Sequence, residues 1–172
     1  MDVISKNSVA IAGEFAVLSQ LVLRGFDANM TLGHTKGVDI LVSDPNYNKM
    51  FKVEVKTSFA SKPSRSKLFG YTLNWMMMEK HENIIDSNLF YCFVNIEKET
   101  NVFRFFIVPS KVVADYVAKQ HKFWLQRKPN LSKEEIAIPM RQFRIGLSDD
   151  KYAIKTPLAK DYENNWNFRR TK

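Results

Sequence analysis

Two runs of alternating residues joined by a turn constrain the fold of this chain more than any other part of its sequence. The runs cover residues 38–42 and 51–55, and Asp44, Pro45 and Asn46 lie between them. Apolar and polar residues alternate with a period of two, which is typical of a β-strand with one buried face. Asp, Pro and Asn favour turns. The stretch from Gly37 to Thr57 is therefore predicted to form an antiparallel hairpin.

The apolar residues of the two runs also predict the register of the hairpin. If both apolar sets face the core, the expected pairs are Val38 with Val55, Ile40 with Val53, and Val42 with Phe51. The same register sets Asp39 opposite Glu54, with Lys56 further along that face. Opposed carboxylates on neighbouring strands repel each other and destabilise the pair. A divalent cation bound between them would make the same arrangement favourable. The alternative is an ordinary solvated strand, since a Glu-x-Lys sequence is common.

A third carboxylate lies in a predicted helix upstream of the hairpin. Residues 7–24 carry apolar side chains at helical spacing, and Gly25 is well placed to end the helix. On a helical projection Glu14 falls inside the apolar arc, between Leu18 and Leu21. An unpaired buried carboxylate costs several kcal/mol, so Glu14 would need a cation or a hydrogen-bond partner. A glutamate at the edge of the arc that reaches solvent or a lysine is an equal alternative.

Length and composition indicate one folded, basic domain spanning residues 1–172. The 172 residues include 26 Lys and Arg against 18 Asp and Glu, a net charge of +8. A polyanion is the first candidate partner, although solubility also favours a net charge of this size. With no signal sequence and no apolar run of about 20 residues, a cytoplasmic protein with no membrane contact is expected. The single cysteine, Cys92, lies in an apolar run and is predicted to be a buried thiol.

A basic segment follows the hairpin. No acidic residue lies between Lys56 and Met78, and Lys62, Arg65 and Lys67 lie among serines, Pro63 and Gly70. This composition predicts a mobile loop that contacts nucleic-acid phosphates, with a plain solvated loop as the alternative. His34 and Lys36, in the loop before Asp39, are further candidates for DNA contact.

The remaining elements are predicted from their patterns. Strands are expected at residues 26–30, 89–96, 102–108 and 141–145, with 89–108 forming a buried hairpin in the middle of the sheet. A helix over residues 71–84 is expected to pack its methionines in the core. Ser110 is predicted to cap a helix that carries Val113, Tyr116, Val117 and Trp124 on one face. A loop is predicted from Gln126 to Ser132, and it contains the basic residues Arg127 and Lys128. A last helix is expected from Pro157 to Trp166, followed by a basic tail over residues 168–172.

The order of these parts over residues 7–96 resembles the core of the PD-(D/E)xK nuclease superfamily. The layout is similar to that of archaeal Holliday-junction resolvases, which also have a Gly-aromatic pair, here Arg24-Gly25-Phe26, before the Asp strand. The resemblance implies an α/β, restriction-endonuclease-like fold with a mixed central sheet flanked by helices. The core would span residues 7–108 and a C-terminal α/β elaboration residues 109–172. Val38 stands where the motif name has proline.

The same resemblance implies a metal-dependent DNA endonuclease, with no small-molecule cofactor and with a homodimer as one arrangement. Asp39 and Glu54, with the main-chain carbonyl of Val55, would hold Mg²⁺, for which Mn²⁺ would substitute. Lys56 would orient the attacking water, and Glu14 would hold a second ion or a water. Products with 5′-phosphate and 3′-hydroxyl ends are expected. Two alternatives remain: a nucleic-acid-binding module without turnover, and an RNA-cleaving toxin or defence nuclease.

Overall fold

The computed structural model describes residues 4–31, 37–60, 62–127, 132, 137–148 and 154–169. Among these residues the strands are β1 (Asp27–Met30), β2 (Ile40–Asp44), β3 (Lys49–Ala60), β4 (Ser64–Ser66), β5 (Gly70–Met78), β6 (Leu89–Glu97), β7 (Phe103–Pro109) and β8 (Met140–Gly146). The helices are α1 (Lys6–Val22), α2 (Ser110–Arg127) and the short α3 (Ala159–Tyr162), with a 3-10 turn at Glu79–Glu82. None of the described helices is both long and apolar enough to span a membrane.

The strands form two sheets. The central sheet has five strands in the order β1-β2-β3-β6-β7, of which only β3 and β6 are parallel. The second sheet is antiparallel, with the order β4-β5-β8. Parallel neighbours need a long crossover connection, and here β4, β5 and the 3-10 turn lie within the crossover from β3 to β6. The predicted mixed central sheet flanked by helices is confirmed.

Strand β6 is buried on both faces, because one core cluster packs on each side of it. Phe90, Cys92, Val94 and Ile96 pack in the cluster that contains α1 residues Val17 and Leu21. Leu89, Tyr91 and Phe93 pack in the other cluster, with apolar residues of β5, β8 and α2. The continuous apolar run of β6 is typical of a strand covered on both sides. The buried Cys92 thiol predicted from the sequence is confirmed.

The central hairpin has the predicted register over most of its length. Ile40 pairs with Val53, and Val42 pairs with Phe51. In the turn, the Asn46 N–H donates to Asp44 Oδ1 at 3.1 Å. The predicted pair of Val38 with Val55 is wrong, because β2 begins at Ile40 and the Val55 N–H donates instead to the Asp39 carboxylate.

The predicted helix over residues 71–84 is wrong. Residues Gly70–Met78 form β5, in which Leu73, Trp75 and Met77 point into the core. Met76 and Met78 are exposed, so only one of the three consecutive methionines is a core residue. The predicted mobile loop is also wrong in part, because Ser64–Ser66 pairs with β5 as strand β4.

Other predictions need smaller corrections. The α1 helix begins one residue early, at Lys6, where Ser5 caps it by accepting a hydrogen bond from the Ser8 N–H. The hydroxyl of Ser110 does not cap α2 but exchanges hydrogen bonds with the main chain of Asp86. Strand β7 is the outermost strand of its sheet, not a middle one.

The C-terminal segment also departs from expectation. The predicted helix from Pro157 to Trp166 is reduced to α3, and α2 extends through Arg127 where a loop is predicted. Phe168, predicted to begin a basic tail, is buried against Phe51 and Phe90. Lys128 and residues 170–172 lie outside the described residues.

Candidate active site

Strands β2 and β3 separate at Asp39, and the side chain of Asp39 lies in the fork. The Asp39 N–H donates to the carbonyl of Val53, the register partner of Ile40, at 2.9 Å, so the regular ladder ends there. One residue pair further, the Val55 N–H donates to Asp39 Oδ2 at 2.7 Å. The carboxylate thus replaces the main-chain carbonyl that a continuing strand would have offered. This hydrogen bond holds the Asp39 carboxyl group against β3 at the level of Glu54 and Val55.

Glu54 is the most buried acid of the fork, with 3% of its surface exposed. Its Oε1 atom lies 2.5 Å from Lys56 Nζ and 3.4 Å from His81 Nε2. Its Oε2 atom is buried and has no hydrogen-bond partner among the described residues. A Cβ at Gly37 would lie 3.3 Å from that oxygen, and the positive φ of 75° also favours glycine there. One oxygen of Glu54 therefore contacts Lys56 and His81, and the Tyr91 hydroxyl group lies beside the same carboxylate, where Glu54 helps to raise the pKa of Tyr91.

Helix α1 brings Glu14 to the same fork by packing very closely on β3. A Cβ at Gly13 would lie 2.9 Å from Cβ and Cγ2 of Thr57, a distance that real side chains do not tolerate. The neighbouring residue, Glu14, is only partly buried. The charges of Asp39 and Lys56 both act on its carboxyl group. The helical acid and the two strand acids therefore share one electrostatic environment.

The three acids respond differently to this environment. Burial and the charge of Asp39 raise the pKa of Glu14, although Lys56 opposes the shift. Burial and the charge of Glu54 raise the pKa of Asp39, against the Val55 N–H and Lys56. Burial also disfavours ionised Glu54, but His81 and Lys56 outweigh it and lower the pKa of Glu54 to about 2. Glu54 is therefore fixed as an anion, whereas Glu14 and Asp39 gain from any added positive charge.

His81 is a site residue that the sequence does not predict. It is buried in the 3-10 turn after β5, where its Nδ1 lies 2.9 Å from both the main-chain N and the main-chain O of Met78. These contacts direct Nε2 at Glu54 Oε1, 3.4 Å away. The sequence carries no signal for this contact, since His81 lies among polar residues of a segment with a helical composition.

Tyr91 covers the other side of Glu54 from the neighbouring strand β6, where it is the register partner of Glu54. Burial and the charge of Glu54 raise the pKa of Tyr91. Its ring lies 5.9 Å from that of His81. His81 and Tyr91 together close the site towards the second sheet.

The structure brings together the four predicted catalytic residues: Glu14, Asp39, Glu54 and Lys56. Val55, whose main-chain carbonyl is the predicted further ligand, donates its N–H to Asp39 Oδ2. Lys62, Arg65 and Lys67 are exposed along the segment from β3 to β5. Lys36 and His34 lie outside the described residues.

The donors of the fork suit a hard divalent cation. No group of three or more His, Cys, Asp or Glu side chains arranged for a metal is found in the part of the chain that the structure describes. Mg²⁺, however, usually keeps several waters and needs only one or two protein carboxylates. The carboxyl groups of Asp39 and Glu54 are oxygen donors of the kind that such a cation takes, and burial raises the pKa of Asp39.

Comparison with known proteins gives a structural likeness only. No model of a known protein family matches the chain, and no curated protein matches it. Among solved structures, the chain is similar to I-Ssp6803I, a bacterial homing endonuclease, with 15% sequence identity and a TM-score of 0.54. The alignment covers 95% of this chain and 91% of that one. The two proteins share a fold over nearly their whole lengths.

Proposed function

We propose that this protein is a Mg²⁺-dependent endonuclease of the PD-(D/E)xK type, which hydrolyses DNA phosphodiester bonds. The observation that carries the proposal is the fork itself: the Asp39 carboxylate is held on β3 by the Val55 N–H, within reach of the charge of Glu54, and Lys56 contacts Glu54. A binding module has no need to bury carboxylates beside a polyanion, whereas a hydrolase of phosphodiesters needs them. The fold shared with a homing endonuclease supports the same conclusion.

Asp39, Glu54 and the main-chain carbonyl of Val55 are the proposed metal ligands. A bound Mg²⁺ would lower the pKa of a water and neutralise charge on the scissile phosphate. Glu54 needs no proton loss to bind, because His81 and Lys56 already keep its pKa at about 2. Asp39 is held by the Val55 N–H, so its free oxygen lies on a fixed carboxylate. Glu14 is proposed to bind a second ion or a water at the margin of the site.

Lys56 is the proposed partner of the reacting water and phosphate. Its ammonium group is anchored on Glu54 and is partly exposed, with 30% of the side chain accessible. From this position it would donate to the water or to a phosphate oxygen as charge develops there. The water oxygen would bond to phosphorus, the bond to the 3′ oxygen would break, and that oxygen would take a proton. Products would carry 5′-phosphate and 3′-hydroxyl ends.

The substrate is proposed to be DNA. The net charge of +8 favours a polyanion. Lys62, Arg65 and Lys67 are the proposed phosphate contacts, with Lys36 as a further one. Because each chain carries one fork, a pair of chains would be needed to cut both strands of a duplex in one encounter.

The proposal is tested by cleavage of plasmid, branched and single-stranded DNA, with RNA alongside, in Mg²⁺ and in Mn²⁺. Wild type is compared with Asp39→Ala and Lys56→Ala, each expected to lose at least about a hundredfold in rate. Lys52→Ala is the matched control, because Lys52 lies on the same strand and pairs with Asp86 away from the fork. The control is expected to retain activity.

A second readout does not depend on turnover. Mg²⁺ is expected to raise the melting temperature of wild type and of Lys52→Ala, and not that of Asp39→Ala, because a ligand of the folded state stabilises it. Equal cleavage by wild type and both site variants would overturn the proposal. Cleavage of RNA alone would reassign the substrate, and Mg²⁺ stabilisation without cleavage of any substrate would favour a binding module.

A further inference from the structure

A cavity of about 180 Å³ lies at the carboxyl ends of the parallel strands β3 and β6. We call it the end cavity and define it by six of its lining residues: Lys62, Pro63, Leu73, Asn95, Glu97 and Val102. Ligands of open α/β sheets commonly bind outside the carboxyl ends of parallel strands. The volume is several times the roughly 30 Å³ that one water takes up in the liquid. The end cavity therefore has room for a group larger than a water.

An amide and a carboxylate of β6 line the end cavity. Asn95 is 6% exposed, and its Oδ1 atom has no hydrogen-bond partner among the described residues. A buried side-chain amide normally has such partners. Glu97, two residues further along β6, is half-buried and accepts a hydrogen bond from the Thr100 hydroxyl at 2.5 Å. A carboxylate has several lone pairs, so Glu97 can accept a further hydrogen bond.

Apolar and cationic groups complete the lining. Three of the lining residues are apolar: Pro63, Leu73 and Val102. Arg104 also lines the cavity, but its guanidinium group donates to Glu163 at 2.7 and 2.9 Å. Lys62 is exposed at the start of the basic segment. Proteins that take a base out of its stack hold the ring between apolar or aromatic side chains and read its edge by hydrogen bonds. The end cavity has both kinds of group, with a lysine for the adjoining phosphate.

The end cavity lies on the same face of the central sheet as the fork. Lys56 pairs in register with Phe93, and Asn95 lies two residues further along β6 on the same face. Ser58, the register partner of Asn95, lies two residues beyond Lys56, and the last residue of β3 lies four beyond it. At about 3.3 Å per strand residue, the cavity is roughly 7–13 Å along β3 from Lys56. A duplex rises about 3.4 Å per nucleotide, so this span corresponds to about two to four nucleotides.

The hydrogen-bonding groups favour a base that carries an exocyclic amino group. The cytosine N4 amino group donates, and carboxylates accept from it in protein–DNA contacts. Thymine has the O4 carbonyl at the same ring position, and two acceptors, O4 and the Glu97 carboxylate, would face each other. Both bases have a single ring of similar size, so this group is the main difference between them at the Glu97 side.

From these observations we infer that the end cavity binds an unpaired base of the substrate DNA that carries an exocyclic amino group. The bound base lies within about four nucleotides of the scissile phosphate, with Asn95 and Glu97 at its edge and Lys62 at its phosphate. The inference rests on the proposed function, because it takes the substrate to be DNA that is cut at the fork.

Binding of oligo(dC) and oligo(dT), each of about twelve nucleotides, tests the end cavity in the presence of a chelator. Fluorescence anisotropy is expected to show wild type binding oligo(dC) at least about fivefold more tightly. Asn95→Leu and Glu97→Gln should each reduce this ratio to less than about twofold, because a leucine has no hydrogen-bonding group and an amide can also donate to O4. Glu99→Gln is the matched control, since it makes the same charge change at an exposed residue outside the cavity lining, and it should keep the preference.

The outcomes separate this inference from the proposed function. Equal binding of the two oligonucleotides by wild type would overturn the inference, whether or not plasmid DNA is cleaved. A preference that Glu97→Gln retains would also overturn it, even if Asn95→Leu fails to fold, which circular dichroism reports. A preference that is lost in the cavity variants supports the inference. If the same wild type then cleaves no DNA, the proposed function fails and base binding stands.

The distance from the fork is tested in Mg²⁺ with duplexes that carry one unpaired cytosine or, as the matched probe, one unpaired thymine. Cleavage is expected within about four nucleotides of the unpaired cytosine, and several-fold faster than beside the thymine. Asn95→Leu and Glu97→Gln should abolish this difference in rate, and Glu99→Gln should keep it. Cuts at positions unrelated to the unpaired base would overturn the proposed placement of the cavity beside the scissile phosphate.

Discussion

Asp39, the residue before β2, and Glu54 on β3 lie in one fork, yet their surroundings shift their pKa values in opposite directions. Burial and Glu54 raise the pKa of Asp39, so ionised Asp39 opposes folding when no cation is bound. His81 and Lys56 lower the pKa of Glu54 to about 2, so ionised Glu54 supports folding. Ionisation of the fork is therefore unfavourable at one acid and favourable at the other, and perturbed pKa values of this kind cluster at functional sites.

Replacing each acid by its amide is expected to change stability with opposite signs. In metal-free buffer at pH 7, Asp39→Asn should raise the free energy of unfolding by roughly 0.5–1 kcal/mol, since the amide oxygen still accepts from Val55. Glu54→Gln should lower it by roughly 1–3 kcal/mol, because Lys56 loses its buried partner. Urea unfolding with a chelator present measures both. A loss of stability in both variants would contradict the electrostatic account.

The Glu54 effect should also depend on pH in a defined direction. An acid with a lowered pKa stabilises the fold above its unfolded pKa of 4.5, and this contribution is lost as pH falls towards about 2. The difference in unfolding free energy between wild type and Glu54→Gln should thus be constant above pH 5 and shrink below pH 4.5. For Asp39→Asn the gain should instead grow as pH rises through the raised pKa of Asp39. Urea unfolding curves of wild type and both variants, measured at intervals of about one pH unit between pH 2 and pH 7, test both expected pH dependences.

At the scale of elements, the closeness of α1 to β3 positions Glu14. The contact of Gly13 with Thr57 leaves no room for a side chain, as the 2.9 Å distances to Thr57 show. Alanine is the better helix former by up to about 1 kcal/mol, so propensity alone would make Gly13→Ala stabilising. Packing is expected to make Gly13→Ala destabilising instead, because the helix must move away from the sheet to accept a methyl group.

Gly13→Ala is therefore expected to lower the free energy of unfolding by roughly 1–3 kcal/mol and to reduce activity through displacement of Glu14. Thr57→Ala removes the two atoms beyond Cβ and should restore part of the loss in the double variant. Ser19→Ala, an exposed site on the same helix, should change stability by less than about 0.5 kcal/mol. Urea unfolding of the four proteins measures the coupling; simple additivity of the two changes would refute the contact.

At the scale of the molecule, the elements predicted correctly are those defined by local periodicity. The alternation over residues 40–53 predicts the pairs Ile40 with Val53 and Val42 with Phe51, which are confirmed. The helical arc leaves open whether Glu14 faces inwards or reaches solvent, and in the structure Glu14 is partly buried. The fork requires no long-range information beyond the contact of α1 with β3.

The second sheet was missed because its pattern is weak and its pairing is distant. In β5 the inward residues Leu73, Trp75 and Met77 alternate correctly, but the intervening Met76 and Met78 hide the period, and methionine favours helices. Its partner β8 lies more than sixty residues away. His81 was missed for the same reason, since only the turn at the end of β5 directs its ring at Glu54.

The C-terminal segment joins parts of the molecule that are far apart in sequence. Phe168 is buried, and its ring lies 5.4 Å from those of Phe26 and Phe51 and 5.1 Å from that of Phe90. It thereby connects the end of the chain to the residue before β1, to the central hairpin and to β6. Its packing belongs to the core cluster shared with α1.

Phe168→Ala is accordingly expected to lower the free energy of unfolding by about 3–5 kcal/mol, a large share of the stability of an ordinary domain. Met76→Ala is the control, because its exposed side chain should contribute less than about 0.5 kcal/mol. Urea unfolding measures both, and the two transitions should have the same slope if the chain still unfolds as one unit. Because Phe168 touches no residue of the fork, cleavage by the folded fraction should be unchanged. Equal stability of the two variants would show that the segment is not part of the core.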